Sequence, residues 1–234
     1  MVPARGPETM ESGTQQAKGK IDILKRISYL LTLLAVAFVL TACEAFDSYG
    51  PGAGHFNTVI VDAGHGGHDR GARSVTGQAE KEVALDTSKR LARILRSKGF
   101  RVIETRSGDT FIPLGKRVDI SNRSSGAIFV SIHYNWARRS SAQGLEVYYF
   151  SERSRRLAAN ILSEIKKAYP TVNRGVKTAR FHVLRNNRRP AVLCELGFLS
   201  NPSDNRYVQN PTYRQRLAER IAAGIIDEKL GRDP

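Results

Sequence analysis

Apolar runs and helical periodicities alternate along the chain from residue 57 onward. Thr58-Val59-Ile60-Val61 is a short continuous apolar run that suits a buried strand. Over residues 80–98, Ala84, Leu91, Ala92 and Leu95 recur at helical spacing, and Gly99 follows as a stop. Residues 100–105, 127–132 and 145–150 read as three further strands, and Pro113 opens a short helix to about Asn122. An amphipathic helix covers 154–169, with Leu157, Ile161 and Ile165 on one face and Pro170 at its end. His182-Val183-Leu184 and residues 191–195 are the remaining strand candidates. Asn210-Pro211, a cap residue followed by proline in the first turn, starts a last helix striped by Leu217, Ile221 and Ile225. Strands alternating with helices predict an α/β fold: a single mixed, mostly parallel sheet of about six strands, flanked by helices on both faces.

The amino terminus reads differently. Lys18, Lys20, Lys25 and Arg26 precede the apolar block 29–42, a basic region followed by a short hydrophobic one, as in a secretory signal. The block is shorter than the ~20 residues a spanning helix needs. Leu40-Thr41-Ala42-Cys43 resembles the lipobox of bacterial lipoproteins, which implies cleavage before Cys43 and a lipid on its thiol. A plain membrane anchor, or a cleaved signal with an incidental cysteine, are the other readings. The expected organisation is a signal over 1–42 (starting at Met1 or Met10), a Gly-rich tether over 43–56 and one catalytic domain over 57–234. The domain is then exported and membrane-anchored in a bacterial cell envelope, on the periplasmic side.

With 234 residues, 41% apolar and 25% charged, the composition is that of a globular protein and excludes extensive disorder or a collagen-like repeat. Two cysteines exclude a disulfide-stapled miniprotein. The net charge of +15 favours an anionic partner. Removing 1–42, with five basic and three acidic side chains, leaves +13, so the bias belongs to the exported part. Export and the lack of a recognition motif argue against nucleic acid. Cys194, inside an apolar run, reads as a buried small hydrophobe.

Candidate chemistry collects where strands end. Asp62-Ala63-Gly64-His65-Gly66-Gly67 follows the first strand and lacks the Gly-Lys-Ser/Thr ending of a phosphate loop; a histidine among glycines suits a metal ligand better. Glu80 opens the first long helix, where a carboxylate often only complements the helix dipole. His133 ends a buried strand, a common place for a core histidine, and Glu195 ends another, where burying a carboxylate is costly unless it is paired. Together they supply two imidazoles, a carboxylate and a second acid. That is the composition of an open catalytic zinc site with a base beside its water.

At this point the chain resembles the zinc-dependent N-acetylmuramoyl-L-alanine amidases of the type-3 family. The match runs through Val61–Gly67, Glu80-Lys81, Thr105-Arg106, Asp109, Leu114, Arg117, Asn122, Ser131-Ile132-His133, Asn135 and 144–149. It continues with Arg174-Gly175-Val176-Lys177, Val183-Leu184-Arg185 and 195–201. The resemblance implies His65, Glu80 and His133 as ligands of Zn2+, Glu195 as the catalytic carboxylate, and peptidoglycan as substrate, cut between N-acetylmuramic acid and L-alanine. Asn135 and Arg185 are candidate substrate-binding residues, and a monomer is expected. Ala63, Ala84, Tyr134 and Trp136 depart from the family pattern. His55, His68 and His182 read as surface or packing histidines. Some relatives carry an inhibitory helix between the second histidine and the catalytic glutamate; only 61 residues separate His133 from Glu195 here, which implies no built-in lid. A zinc peptidase cutting elsewhere in the stem peptide and a non-catalytic wall-binding lipoprotein are the alternatives.

Overall fold

The computed structural model describes residues 55–234; the signal-like segment, Cys43 and nearly all of the tether lie outside the described residues. Six strands form one sheet: β1 (Thr58–Ala63), β2 (Arg101–Glu104), β3 (Ala127–Asn135), β4 (Leu145–Tyr149), β5 (Asn173–Thr178) and β6 (Ala191–Phe198). Their order is β2-β1-β3-β6-β4-β5. All neighbours run parallel except β4 and β6, which are antiparallel.

Alternation along the strands decides what each face carries, because side chains point to opposite faces with period two. Val59, Val61, Ile128, Val130, Ile132, Val192, Cys194 and Leu196 belong to the larger core. It is closed by α1 (Glu80–Ser97), α3 (Arg155–Ile165) and α6 (Pro211–Lys229) through residues such as Leu91, Ile161 and Leu217. Two of these helices pack very closely at Gly224 of α6, where a Cβ would lie 2.6 Å from the Cα of Ile161. Ile60, Phe129 and Leu193 point the other way, against Val118 of α2 (Leu114–Asn122) and Val183 and Leu184 of α4 (His182–Arg185). These two short helices cover only part of their face. Farther along the same strands, the same parity delivers Asp62, Ser131, His133 and Glu195.

One expectation needs correction. His182-Val183-Leu184 is not a strand but part of a single helical turn, closed by Leu184 and Arg185 N–H bonds to the Phe181 carbonyl. Three residues are too few for either period to declare itself. The sixth strand is β5 (NRGVKT), whose polar sequence fits an exposed edge paired only with β4. The sequence reading also missed α5 (Pro202–Gln209), although Asn201 caps it by accepting from the amides of Ser203 and Asp204 and proline follows at its first position. Among the described residues, no helix is long and apolar enough to cross a membrane.

Candidate metal centre

The loop leaving β1 is fixed before any ligand is considered. Asp62, at the strand end, is buried and accepts hydrogen bonds from Thr105 Oγ1 (2.7 Å), Ser131 Oγ (2.6 Å) and Arg117 Nη1 (2.7 Å). Arg117, itself buried, also donates to the carbonyls of Ala63 (2.6 Å) and His65 (2.7 Å). Arg106 donates to the carbonyls of Ala63 (3.0 Å) and Gly64 (2.6 Å). Two guanidiniums thus gather three successive loop carbonyls. Under this restraint His65 sits at φ +61°, a conformation that costs a non-glycine residue energy and persists only when its surroundings impose it. Gly64 passes the His133 ring so closely that a Cβ would lie 2.4 Å from Cε1.

His65, Glu80 and His133 then meet, with potential ligand atoms all within 4.8 Å of one another. His65 Nε2 lies 3.0 Å from Glu80 Oε2, and His133 Nδ1 lies 2.9 Å from Glu80 Oε1. The two rings stand edge to face with centroids 4.9 Å apart. Glu80, the first residue of α1, is buried and also accepts from the amides of Ala72 (2.9 Å) and Tyr134 (3.1 Å). Burial alone would raise its pKa, but the hydrogen bonds and charge of His133 and His65 prevail and hold it well below the usual carboxylate range. His65 shows the converse. Burial opposes protonation, and Glu80 and Asp69 more than offset it, so its pKa is raised.

Asp69 was not singled out by the sequence, yet its Oδ1 lies 2.9 Å from His65 Nδ1. It also accepts from the Gly71 amide (3.1 Å). A carboxylate on the outer nitrogen fixes the ring and leaves Nε2 facing the cluster, the arrangement that supports metal-binding histidines. Its position four residues after His65 was a usable signal. The donor set therefore fits a tetrahedral ion with one position open.

Glu195 lies beside His133 in the β3–β6 register and beside Glu146 in the β4–β6 register. Its Oε2 is enclosed and has no hydrogen-bond partner among the described residues. Burial, followed by the Glu80 and Glu146 charges, pushes its pKa well above the ordinary carboxylate range. Glu195 and the three-residue cluster line one cavity of about 630 Å³, with Phe111, Leu114, Trp136 and Phe181 among its apolar walls.

The remaining expected residues divide. Asn135 lines the cavity and donates through Nδ2 to Glu146 (2.6 Å). Arg185 is exposed on α4 and lies off the cavity wall, whereas His182 and Val183 of the same turn line it. His68 stacks on Phe111 with centroids 4.1 Å apart, and His55 is exposed. Tyr134 turns its ring into the core, where its hydroxyl meets Thr87 Oγ1 at 2.7 Å, while Trp136 is exposed at the cavity mouth. Cys194 is fully buried, and burial raises its thiol pKa, as befits a packing residue.

The chain is similar to several known proteins. The staphylococcal "Probable cell wall amidase LytH" (Staphylococcus aureus) is 38% identical over 170 residues, covering 72% of this chain and 57% of LytH. The crystal structure of N-acetylmuramoyl-L-alanine amidase from Clostridium difficile 630 superposes with a TM-score of 0.71 at 36% identity, covering 74% of this chain and 96% of that one. N-acetylmuramoyl-L-alanine amidase AmiC2 of Nostoc punctiforme gives 0.72 at 39% identity, covering 75% and 97%. The N-acetylmuramoyl-L-alanine amidase family as a whole matches residues 59–227, which is most of the chain and every strand of the sheet. The chain belongs to the N-acetylmuramoyl-L-alanine amidase family.

Proposed function

We propose that this protein is a zinc-dependent peptidoglycan amidase that hydrolyses the amide between the lactyl group of N-acetylmuramic acid and L-alanine. In this reading His65, Glu80 and His133 hold the ion and Glu195 carries the proton. One observation supports it above all others: the His65–Glu80–His133 cluster shares its cavity with a carboxylate oxygen, Glu195 Oε2, that no protein group satisfies. Zinc, when bound, supplies Lewis acidity that polarises a carbonyl and makes water acidic near neutral pH. Glu195 Oε2 accepts the proton of the attacking water and passes it to the departing nitrogen of L-alanine. An environment that disfavours its charged form lets the same group take and return the proton. Asp69 holds His65 in orientation, and the walls formed by Phe111, Trp136 and Phe181 limit water around the scissile bond.

The surplus of +15 suits an acidic wall polymer, and by the same proposal a lipid on Cys43 tethers the domain in the cell envelope. The test pairs metal analysis with mass spectrometry of peptides released from purified sacculi. Glu195→Gln is expected to retain zinc and lose about 10²–10⁴-fold in turnover, while His65→Ala loses both. Free L-alanine amino termini on the released peptides identify the bond. Wild-type rates from Glu195→Gln, or cleavage only between peptide residues, would overturn the reading.

A further inference from the structure

Next to the candidate base lies a group of charges that water activation does not require. Glu146 on β4 sits beside Glu195 in register and is buried, and four donors converge on its carboxylate. Asn135 Nδ2 (2.6 Å) and the Tyr148 hydroxyl (2.9 Å) reach Oε1. Arg174 Nε (2.9 Å) and Lys177 Nζ reach Oε2. One cation would neutralise Glu146, but two are present, so the trio of Glu146, Arg174 and Lys177 retains a positive charge. Both cations are partly exposed, at 33% and 37% of their side chains. Among the described residues Arg174 makes a side-chain hydrogen bond only through Nε, so both terminal amino groups of its fork are available. The guanidinium is steadied from below by the Phe198 ring, 4.9 Å away. Side chains held this way lose little freedom when a ligand arrives.

We infer that Arg174 and Lys177 form a specificity subsite for a free carboxylate on the stem-peptide residue that follows L-alanine. The inference rests on the amidase reading and adds a substrate preference to it. Dimensions support the assignment. An extended chain advances roughly 3.5 Å per residue, so that carboxylate lies roughly 7 Å from the scissile carbonyl. β5 is two strands from β6, roughly 10 Å across the sheet, and its two long side chains reach back to Glu146 beside Glu195. A guanidinium fork pairs with a carboxylate through parallel hydrogen bonds, whereas the corresponding carboxamide is neutral and turns donors of its own toward the fork.

Two defined muropeptides, differing only in a free or an amidated carboxyl at that residue, provide the test. Wild type is expected to cleave the acidic one with a kcat/KM about tenfold higher, expressed mainly in KM. Lys177→Met and Arg174→Met should each erase most of the preference, Lys177→Arg should keep it, and Glu146→Gln, which adds net positive charge, should preserve or enlarge it. A purely structural role would depress both substrates alike and leave the ratio intact. Equal wild-type efficiency on the two substrates overturns the subsite without calling on any variant, as does an unchanged ratio in both methionine variants, and the amidase reading survives either result. Cleavage of neither substrate by wild type would remove the amidase reading and the subsite with it.

Discussion

Gly64→Ala adds one methyl group at the most crowded point of the candidate centre. The backbone tolerates the change, since Gly64 is not among the residues at positive φ. The new Cβ would lie 2.4, 2.5 and 2.7 Å from Cε1, Nε2 and Nδ1 of His133, where ordinary contact begins at 3.4 Å. The imidazole must therefore retreat by about 1 Å, or the β1 loop must do so. The loop is the stiffer partner, because Arg106 and Arg117 hold its carbonyls. Ligand distances in a working site stay within about 0.2 Å of ideal, so the shift is several times what the ion accepts. Zinc affinity is expected to fall roughly 100-fold, with an overpacking cost to stability of about 1–3 kcal/mol. Competition against a fluorescent chelator, alongside urea denaturation of the metal-free protein, separates the two effects. Wild-type zinc affinity in a folded Gly64→Ala protein would refute the reasoning that His133 is a ligand pinned by this contact.

Other expectations follow from contacts outside the cluster. Asp69→Ala should weaken zinc binding by about 10–100-fold by freeing the His65 ring, read by the same competition; no change would mean that the ring is oriented by other means. Gly224→Ala places a Cβ within 2.6–2.8 Å of the α3 backbone and should cost about 1–3 kcal/mol in chemical denaturation while leaving activity per folded molecule intact; a stabilised variant would contradict the packing. Burial raises the Asp86 pKa, but hydrogen bonds from Arg90 (2.9 Å) and Arg214 (2.5 Å) outweigh it, so the folded value is depressed. Its stabilisation is then complete above the unfolded pKa of about 3.9 and is lost as the pH falls through the folded value. The stability gap between wild type and Asp86→Asn should accordingly narrow in acid, and a gap that is constant with pH would exclude the pairing.

The layered α/β fold was legible because β1, β3 and β6 are buried on both faces and therefore apolar at nearly every position. β5 was illegible for the opposite reason, since an edge strand need not be apolar. The four principal candidate residues stood out because each is an ionisable group at the end of a hydrophobic strand or the start of a helix. Asp69, Glu146, Arg106 and Arg117 did not, although 106, 117 and 146 occur among the family-like positions. Their partners are carbonyls and side chains far away in sequence, such as Gly64 for Arg106 and Asp62 for Arg117. Only the folded register brings Glu146 beside Glu195. Proximity in sequence suggested Arg185 for substrate binding; its helical turn presents His182 and Val183 to the cavity wall and leaves Arg185 exposed outside it.

The paired arginines beneath the β1 loop also bear on how such a protein diversifies. A change in the path of that loop would strand two desolvated cations, so variants there lose the hydrolytic apparatus before they gain anything. The cavity mouth carries no such debt. Trp136, Leu114 and Phe181 are exposed and make none of the hydrogen bonds that hold the loop in place. New diets can therefore evolve at the lip by single substitutions, while the engine underneath stays locked.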